Sequence, residues 1–424
     1  MTAVLTAVGR WDSEVATALG ASTQVRIIRR CADLADLLAT AAAGLGEVAL
    51  VSDDLRGLDL SAVAGLVARG LGVVGVTGPG DEAAERRLRQ LGISTVVIAG
   101  SALAELETAL AERPAFPLRR GHPGPDLDGE VLPDAADDTA RAAPVGLDDP
   151  PQGRLVAVWG PTGAPGRTTV AVTLATELAG LGLRTVLVDA DTYGGCVAPS
   201  LSLLDEAPGV AAAARAAEQG TLDLPTLARL TPEVTPGLRV LTGIPTAERW
   251  TEIRQPAMER TLELCRSLGE VVVVDCGFSL EDDAELSYDT QAPRRNAATL
   301  STLAMSDEVL AVGSCDPVGL QRLVRGLQEL AECESPRPRV VVNRVRASSV
   351  GSRPERRVAD ALARFAGVED VVFVPDDPQA LDTAVRDGRS LAECAPASPV
   401  RAALRALAAV VAQRPLEDSR RARR

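Results

Sequence analysis

The sequence predicts an α/β protein of two doubly wound parallel-sheet domains joined by an acidic, proline-rich linker. Three observations predict it. Over residues 1–112, short apolar runs alternate with segments of helical spacing. The same rhythm resumes at Arg154 and runs to about Gln413. Between the two, prolines at 114, 117, 123, 125, 133, 144, 150 and 151 leave no periodicity. A repeated βα rhythm places helices on both faces of a parallel sheet. The expected boundaries are 1–112, a linker over 113–153, a second domain over 154–413 and a basic tail over 414–424.

In the first domain the expected strands are Ala3 to Val8, Gln24 to Ile28, Glu47 to Ser52, Leu71 to Thr77 and Ile93 to Ala99. Segments such as Ala32 to Gly44 and Ser101 to Glu112 read as helices between them. In the second, the expected strands are Leu155 to Trp159, Thr185 to Asp189, Leu238 to Leu241, Val271 to Asp275, Val309 to Val312, Val340 to Asn343 and Val371 to Val374. Four consecutive valines before Asp275 read as a strand buried on both faces. From Pro399 to Gln413, Val400, Ala403, Leu404, Leu407, Val410 and Val411 share one helical face, expected to cover the sheet rather than lie on a membrane.

The chain has no lysine; all 44 basic positions are arginine. Net charge is −14, and about half of it sits between Asp126 and Asp149, where eight acids face Arg141 alone. Such a balance argues against non-specific nucleic-acid binding, which needs a basic face. The seven cysteines form no CxxC pair, which argues against zinc and disulfide frameworks and for a reducing cytoplasm. No apolar run reaches the roughly 18 residues of a membrane span, and no export signal precedes the first strand.

The chemistry concentrates at Gly160-Pro161-Thr162-Gly163-Ala164-Pro165-Gly166-Arg167-Thr168-Thr169. The segment follows a strand and opens a helix, the setting of a phosphate-binding loop. Small residues let backbone N–H groups close on phosphate oxygens, and the helix N-terminus favours an anion. Thr168 is placed to ligate Mg²⁺. Asp189 and Asp191 end one strand and Asp275 another, facing the crevice where doubly wound sheets bind ligands.

Together these segments resemble the MinD/ParA (deviant Walker A) ATPases over about residues 153–413. Gly163 to Thr169 matches the family loop, Val186 to Asp191 its second acidic motif and Asp275 its Walker B aspartate. Leu238 to Pro245 matches a recurring strand and turn. Asn343 and Arg344 resemble the adenine-reading strand, and Pro375 and Asp376 the following nucleotide-side loop. The resemblance implies ATP and Mg²⁺, with Thr168, Asp191 and Asp275 at the metal, Asp189 and Asp191 in catalysis, and a homodimer.

Two positions depart from the family. Its signature lysine, which reaches the partner's nucleotide, is replaced by Thr162, and its phosphate-cradling lysine by Arg167. Guanidinium is planar and larger than ammonium, so the exchange is not neutral. The expectation is retained nucleotide binding with slow or absent hydrolysis. Arg294 and Arg295, in the switch position after Asp275, are candidates for a compensating finger on a phosphate.

The first domain is similar to a receiver-type, flavodoxin-like domain. Asp53 and Asp54 end its third strand and Thr77 its fourth, but no acidic pair follows the first strand and no lysine the fifth. Too few oxygens then face a Mg²⁺ ion, and a pseudo-receiver used for docking or dimerisation is expected. With this domain in front, the chain looks like the CpaE/TadZ branch. That implies a scaffold positioning pilus-assembly or septum proteins, cytoplasmic or membrane-peripheral at pole or septum through its partners, with no sequence-specific nucleic acid. The alternatives are an active partitioning ATPase and a nucleotide-free interaction scaffold.

Overall fold

The computed structural model describes residues 1–112, 152–203, 209–282 and 292–414. The expected linker, but for its last two residues, and the tail beyond Arg414 lie outside the described residues, as does Tyr288 in the loop after Asp275.

Strands β1 (Thr2–Ala7), β2 (Val25–Arg30), β3 (Val48–Ser52), β4 (Gly72–Thr77) and β5 (Thr95–Ile98) form a parallel sheet in the order β2-β1-β3-β4-β5. That is the flavodoxin-like order. Helices α1 (Asp12–Gly20), α2 (Leu34–Ala42), α3 (Leu60–Ala68), α4 (Glu82–Gln90) and α5 (Leu103–Ala111) cross between the strands. Three begin at an aspartate whose carboxylate accepts a first-turn N–H: Asp33 from Asp36, Asp59 from Ala62 and Asp81 from Ala84. These caps satisfy donors that the helix cannot pair itself.

The second sheet contains β6 (Arg154–Trp159), β7 (Thr185–Ala190), β8 (Glu233–Thr235), β9 (Leu238–Leu241), β10 (Val271–Cys276), β11 (Glu308–Ser314), β12 (Arg339–Val345) and β13 (Val371–Pro375). Its order is β13-β12-β11-β6-β10-β7-β9-β8. Every pairing is parallel except β8 with β9. β8 was not expected; three residues are too short to carry a period. β10 is buried at every position, as its valine run predicts. β6 lies between β10 and β11, so its carboxyl end opens into the crevice where strand order changes direction.

The helices of this layer are α6 (Arg167–Gly180), α7 (Val197–Ser200), α8 (Gly209–Glu218), α9 (Leu224–Leu230), α10 (Gln255–Leu268), α11 (Ala297–Met305), α12 (Pro317–Ala331), α13 (Ala347–Val350), α14 (Pro354–Ala366), α15 (Pro378–Asp387), α16 (Leu391–Cys394) and α17 (Pro399–Val411). α6 is buried from Val170 to Ala179 because the sheet covers one side and α17 the other. Val400, Leu404, Leu407 and Val411 join Leu174 and Leu178 in one core. Arg401 donates to the buried Glu177 at 2.6 Å, which fixes α17 against α6. The last helix therefore covers the sheet, as expected, although Val410 points to solvent and Ala408 and Ala409 are buried instead. Among the described residues no helix is long and apolar enough to cross a membrane.

The two sheets meet through α3, which packs on α8 and α10. One apolar cluster runs from Leu58, Leu88 and Leu91 into Ala213, Ala214, Ala217 and Met258. Ser61 donates its hydroxyl to Glu218 at 2.8 Å and its N–H at 3.2 Å. Arg87 donates to the Gln219 carbonyl at 3.2 Å and, from its other nitrogens, to the Asp53 and Leu58 carbonyls.

Candidate nucleotide site

β6 ends in Trp159, fully buried, with its indole N–H donating to the Phe278 carbonyl at 3.2 Å. The chain must then turn in a crowded place. A Cβ on Gly160 would strike the Val312 carbonyl, so only glycine fits. Gly163 and Gly166 take φ of +106° and +101°, and Ala164 between them is held at +53°. Left-handed backbone is cheap for glycine and costs other residues about 1–2 kcal/mol. Gly166 is the N-cap of α6 and brings no side chain to the cap. The first N–H groups of α6 thus face the loop uncapped, an arrangement suited to an anion.

Thr168 donates its hydroxyl to Asp275 Oδ2 at 2.6 Å. Asp275 is fully buried, and its Oδ1 has no hydrogen-bond partner among the described residues. Burial pushes this carboxyl well above the ordinary carboxylate range; the charge of Asp189 adds to the rise, while Thr168 and Arg167 oppose it. A buried carboxylate oxygen without a partner is costly, and a cation at Oδ1 removes that cost. Among the described residues no cluster of three or more His, Cys, Asp or Glu could hold a metal. Thr168 and Asp275 fit Mg²⁺ in its usual mode, one carboxylate and one hydroxyl completed by phosphate oxygens and water.

Arg167 turns inward. It donates to Asp191 Oδ2 at 3.1 Å and to the Gly160 carbonyl at 3.1 Å, and its buried Nε has no partner. Asp191 also accepts the N–H groups of Tyr193 at 2.9 Å and Gly194 at 3.3 Å. Asp189 accepts from the N–H groups of Asp191 and Val197, and Gly195 and Gly243 press against its carboxylate. Asp189 thus shapes the loop that presents Asp191. Cys196 lies beside Thr168, 3.4 Å from its hydroxyl.

The remaining expected residues divide. Asn343 reaches the loop: its Nδ2 donates to the Pro165 carbonyl at 2.9 Å and its Oδ1 accepts from the Arg344 N–H. A Cβ on Gly166 would run into that amide. The amide is engaged with the loop, while Arg344 is exposed at φ +58°. Asp376 accepts from Arg346 at 3.3 Å, one residue past Pro375 and away from the loop's hydrogen bonds. The structure does not bring Arg295 to the loop. Its guanidinium stacks 3.8 Å from the Tyr193 ring and donates to Thr192 at 2.9 Å. Arg294 pairs with Asp282 at 3.5 Å.

Sequence reasoning passed over α12. A Cβ on Gly326 would meet Trp159 at 2.9 Å and Pro161 at 3.3 Å, so this glycine lets α12 lie against the loop. One turn earlier, the Arg322 guanidinium rests on Gly163.

In the first domain the equivalent strand end is closed. Arg10 pairs with Asp53 at 3.1 Å and with Asp54 at 3.7 Å, and Thr77 is buried.

A parallel sheet with this loop after its central strand, and a hydroxyl and a buried carboxylate converging beside it, defines a P-loop nucleotide-binding domain. A family model for the CobQ/CobB/MinD/ParA nucleotide binding domain matches residues 156–388, more than half of the chain. The chain belongs to this family. It is 28% identical over 202 residues to the chromosome partitioning protein ParA of Caulobacter vibrioides, covering 43% of this chain and 66% of that one, just under two thirds of its length. The ParA family ATPase from Chlorobium tepidum is similar in fold, with 20% identity, a TM-score of 0.51 and coverage of 60% of this chain and 98% of that one. The cell division ATPase MinD of Pyrococcus furiosus aligns at 18% identity and a TM-score of 0.49, over 62% of this chain and 99% of that one.

Proposed function

We propose that the chain binds ATP with Mg²⁺ at the Gly160 to Thr169 loop and acts as a nucleotide-responsive scaffold that hydrolyses slowly or not at all. The observation that carries this reading is the unpartnered Oδ1 of Asp275 beside the Thr168 hydroxyl. The loop amides and the first turn of α6 would hold the phosphates, and Thr168 and Asp275 the ion. When bound, Mg²⁺ supplies positive charge to both the phosphates and the buried carboxylate. Slow hydrolysis follows from the cations. Thr162 carries no charge, and Arg167 is engaged by Asp191, so the loop offers little that strengthens as charge shifts in phosphoryl transfer.

Beyond the family, the reading extends to a CpaE/TadZ-type role: nucleotide-linked homodimerisation that positions pilus-assembly or septum components at pole or septum. It is supported by a flavodoxin-like domain whose acidic strand end is occupied by Arg10 and which is fastened to the nucleotide domain through Ser61 and Arg87. Calorimetric titration of ATP with Mg²⁺, together with the mass of the oligomer with and without nucleotide, tests it. Binding coupled to dimerisation without appreciable turnover is the expected result. Rapid turnover would identify an active partitioning-type ATPase, and no binding at millimolar ATP a scaffold with an empty loop.

A further inference from the structure

We propose that Arg322, on α12, stands in cis at the loop mouth beside the uncharged Thr162 and recognises the phosphate charge of the bound nucleotide in the ground state, without replacing a cation that acts during hydrolysis. The inference rests on the nucleotide-binding reading above and adds a residue that lies outside every loop motif.

Three observations place it there. The first is contact. A Cβ on Gly163 would overlap an Arg322 Nη and lie 3.2 Å from the guanidinium carbon. The guanidinium therefore occupies the space over the α-carbon of the loop's first left-handed glycine. The second is how the contact is built. α12 starts at Pro317, capped by Asp316, which accepts the Gly319 N–H at 3.0 Å. Gly326 then seats the helix on Trp159 and Pro161. Residues four apart share a helix face, so the approach at Gly326 brings Arg322 to the loop.

The third observation is charge. Among the described residues Arg322 makes no hydrogen bond or ion pair, although acidic residues such as Glu329 line the same groove of about 810 Å³ beside Thr162. Arg167, by contrast, is spent on Asp191 and the Gly160 carbonyl, Arg294 on Asp282 and Arg295 on Thr192 and Tyr193. An uncommitted guanidinium at the mouth of a phosphate loop is suited to bidentate contact with phosphate oxygens. Arg322 comes from a helix more than 150 residues further along the chain, so α12 itself becomes sensitive to whether phosphate is present.

The test is calorimetric binding of ATP, ADP and AMP with Mg²⁺ to the full chain and to Arg322→Ala and Arg322→Lys. Arg322 is exposed, and melting curves establish that the variants fold. Charge-assisted hydrogen bonds contribute about 1.5–3 kcal/mol, so Arg322→Ala is expected to weaken ATP about tenfold or more. ADP should lose less and AMP least, Arg322→Lys should fall between, and the salt dependence of ATP binding should flatten. Wild-type binding with an unchanged ATP affinity in Arg322→Ala, or an equal loss for all three nucleotides, overturns the role of Arg322 and leaves the nucleotide site standing. No binding by the wild-type chain overturns both.

Discussion

Two strand ends in this molecule carry the same ingredients, an acid and an arginine, and differ in what they leave undone. At the end of β3, Arg10 pairs with Asp53 and Asp54 at the surface, with half of the arginine side chain exposed, although the Asp53 side chain is only 14% exposed. After β6, β7 and β10, Arg167, Asp191, Asp275 and Thr168 meet almost out of solvent. The first site is self-satisfied. The second keeps Asp275 Oδ1 and Arg167 Nε buried and unpaired, a cost that folding does not remove and a ligand can. The sign of charge does not separate the two sites; desolvation does.

The largest effect expected from this contrast is at Asp275. Asp275→Asn should weaken Mg²⁺-dependent ATP binding by at least about a hundredfold, the upper end of what losing even an outer-shell metal partner costs. The nucleotide-free variant should melt no lower than wild type, because the buried carboxyl disappears with its desolvation penalty. Asp53→Asn should leave ATP affinity unchanged. Titrations and melts of both variants check this, and equal effects at the two aspartates would erase the distinction.

Backbone strain separates the regions next. Gly44, in the first domain, has φ +72° and open space around it, whereas Gly166 has φ +101° with the Asn343 amide against it. Gly44→Ala should cost about 1 kcal/mol, the price of a left-handed backbone alone. Gly166→Ala should cost roughly 2–3 kcal/mol and abolish nucleotide binding, since the loop must move off Asn343. Denaturant midpoints report the first difference and calorimetry the second.

Much of this was legible in the sequence, for a local reason. Strand β10, the turn at Gly160 to Thr169 and the aspartates ending β7 and β10 declare themselves within about ten residues, through period and turn chemistry. The pairing of Thr168 with Asp275 follows once the first turn of α6 and the end of β10 face one crevice. What was not legible depends on packing between distant segments. Arg295 sits in a loop of mixed charge, and only the fold stacks it on Tyr193. Asn343 was expected at the nucleotide through a resemblance, and only the fold shows that its amide also holds the Pro165 carbonyl of the loop. Gly326 is a glycine inside a helix, and its reason, the closeness of Trp159 and Pro161, lies outside that helix.

Glu218 joins the two regions and makes their contact depend on pH. Burial raises its carboxyl above the ordinary 4.5, the Ser61 hydroxyl pulling it down and Asp59 pushing it up. A raised carboxyl holds its proton in the folded chain more tightly than in the unfolded one. The stability this contributes is complete below the unfolded value and is lost as pH rises through the folded one. Melting temperature should therefore carry a downward component with rising pH just above 4.5, and Glu218→Gln should flatten it. If the slope is the same in both, Glu218 is not the group that titrates at the junction.

The smallest effect is expected at Arg10, and it tests why the first site is closed. An exposed ion pair contributes between 0 and about 1 kcal/mol, so Arg10→Ala should barely move the melting temperature. It does, however, strip the cation from Asp53 and Asp54. If a shortage of oxygen ligands closes the site, Mg²⁺ and beryllofluoride should leave the spectra of the variant as unperturbed as those of wild type. If occupation by Arg10 closes it, the variant alone should acquire a Mg²⁺-dependent shift at Asp53. That outcome would make the two strand ends alike in capacity and different only in which arginine guards them.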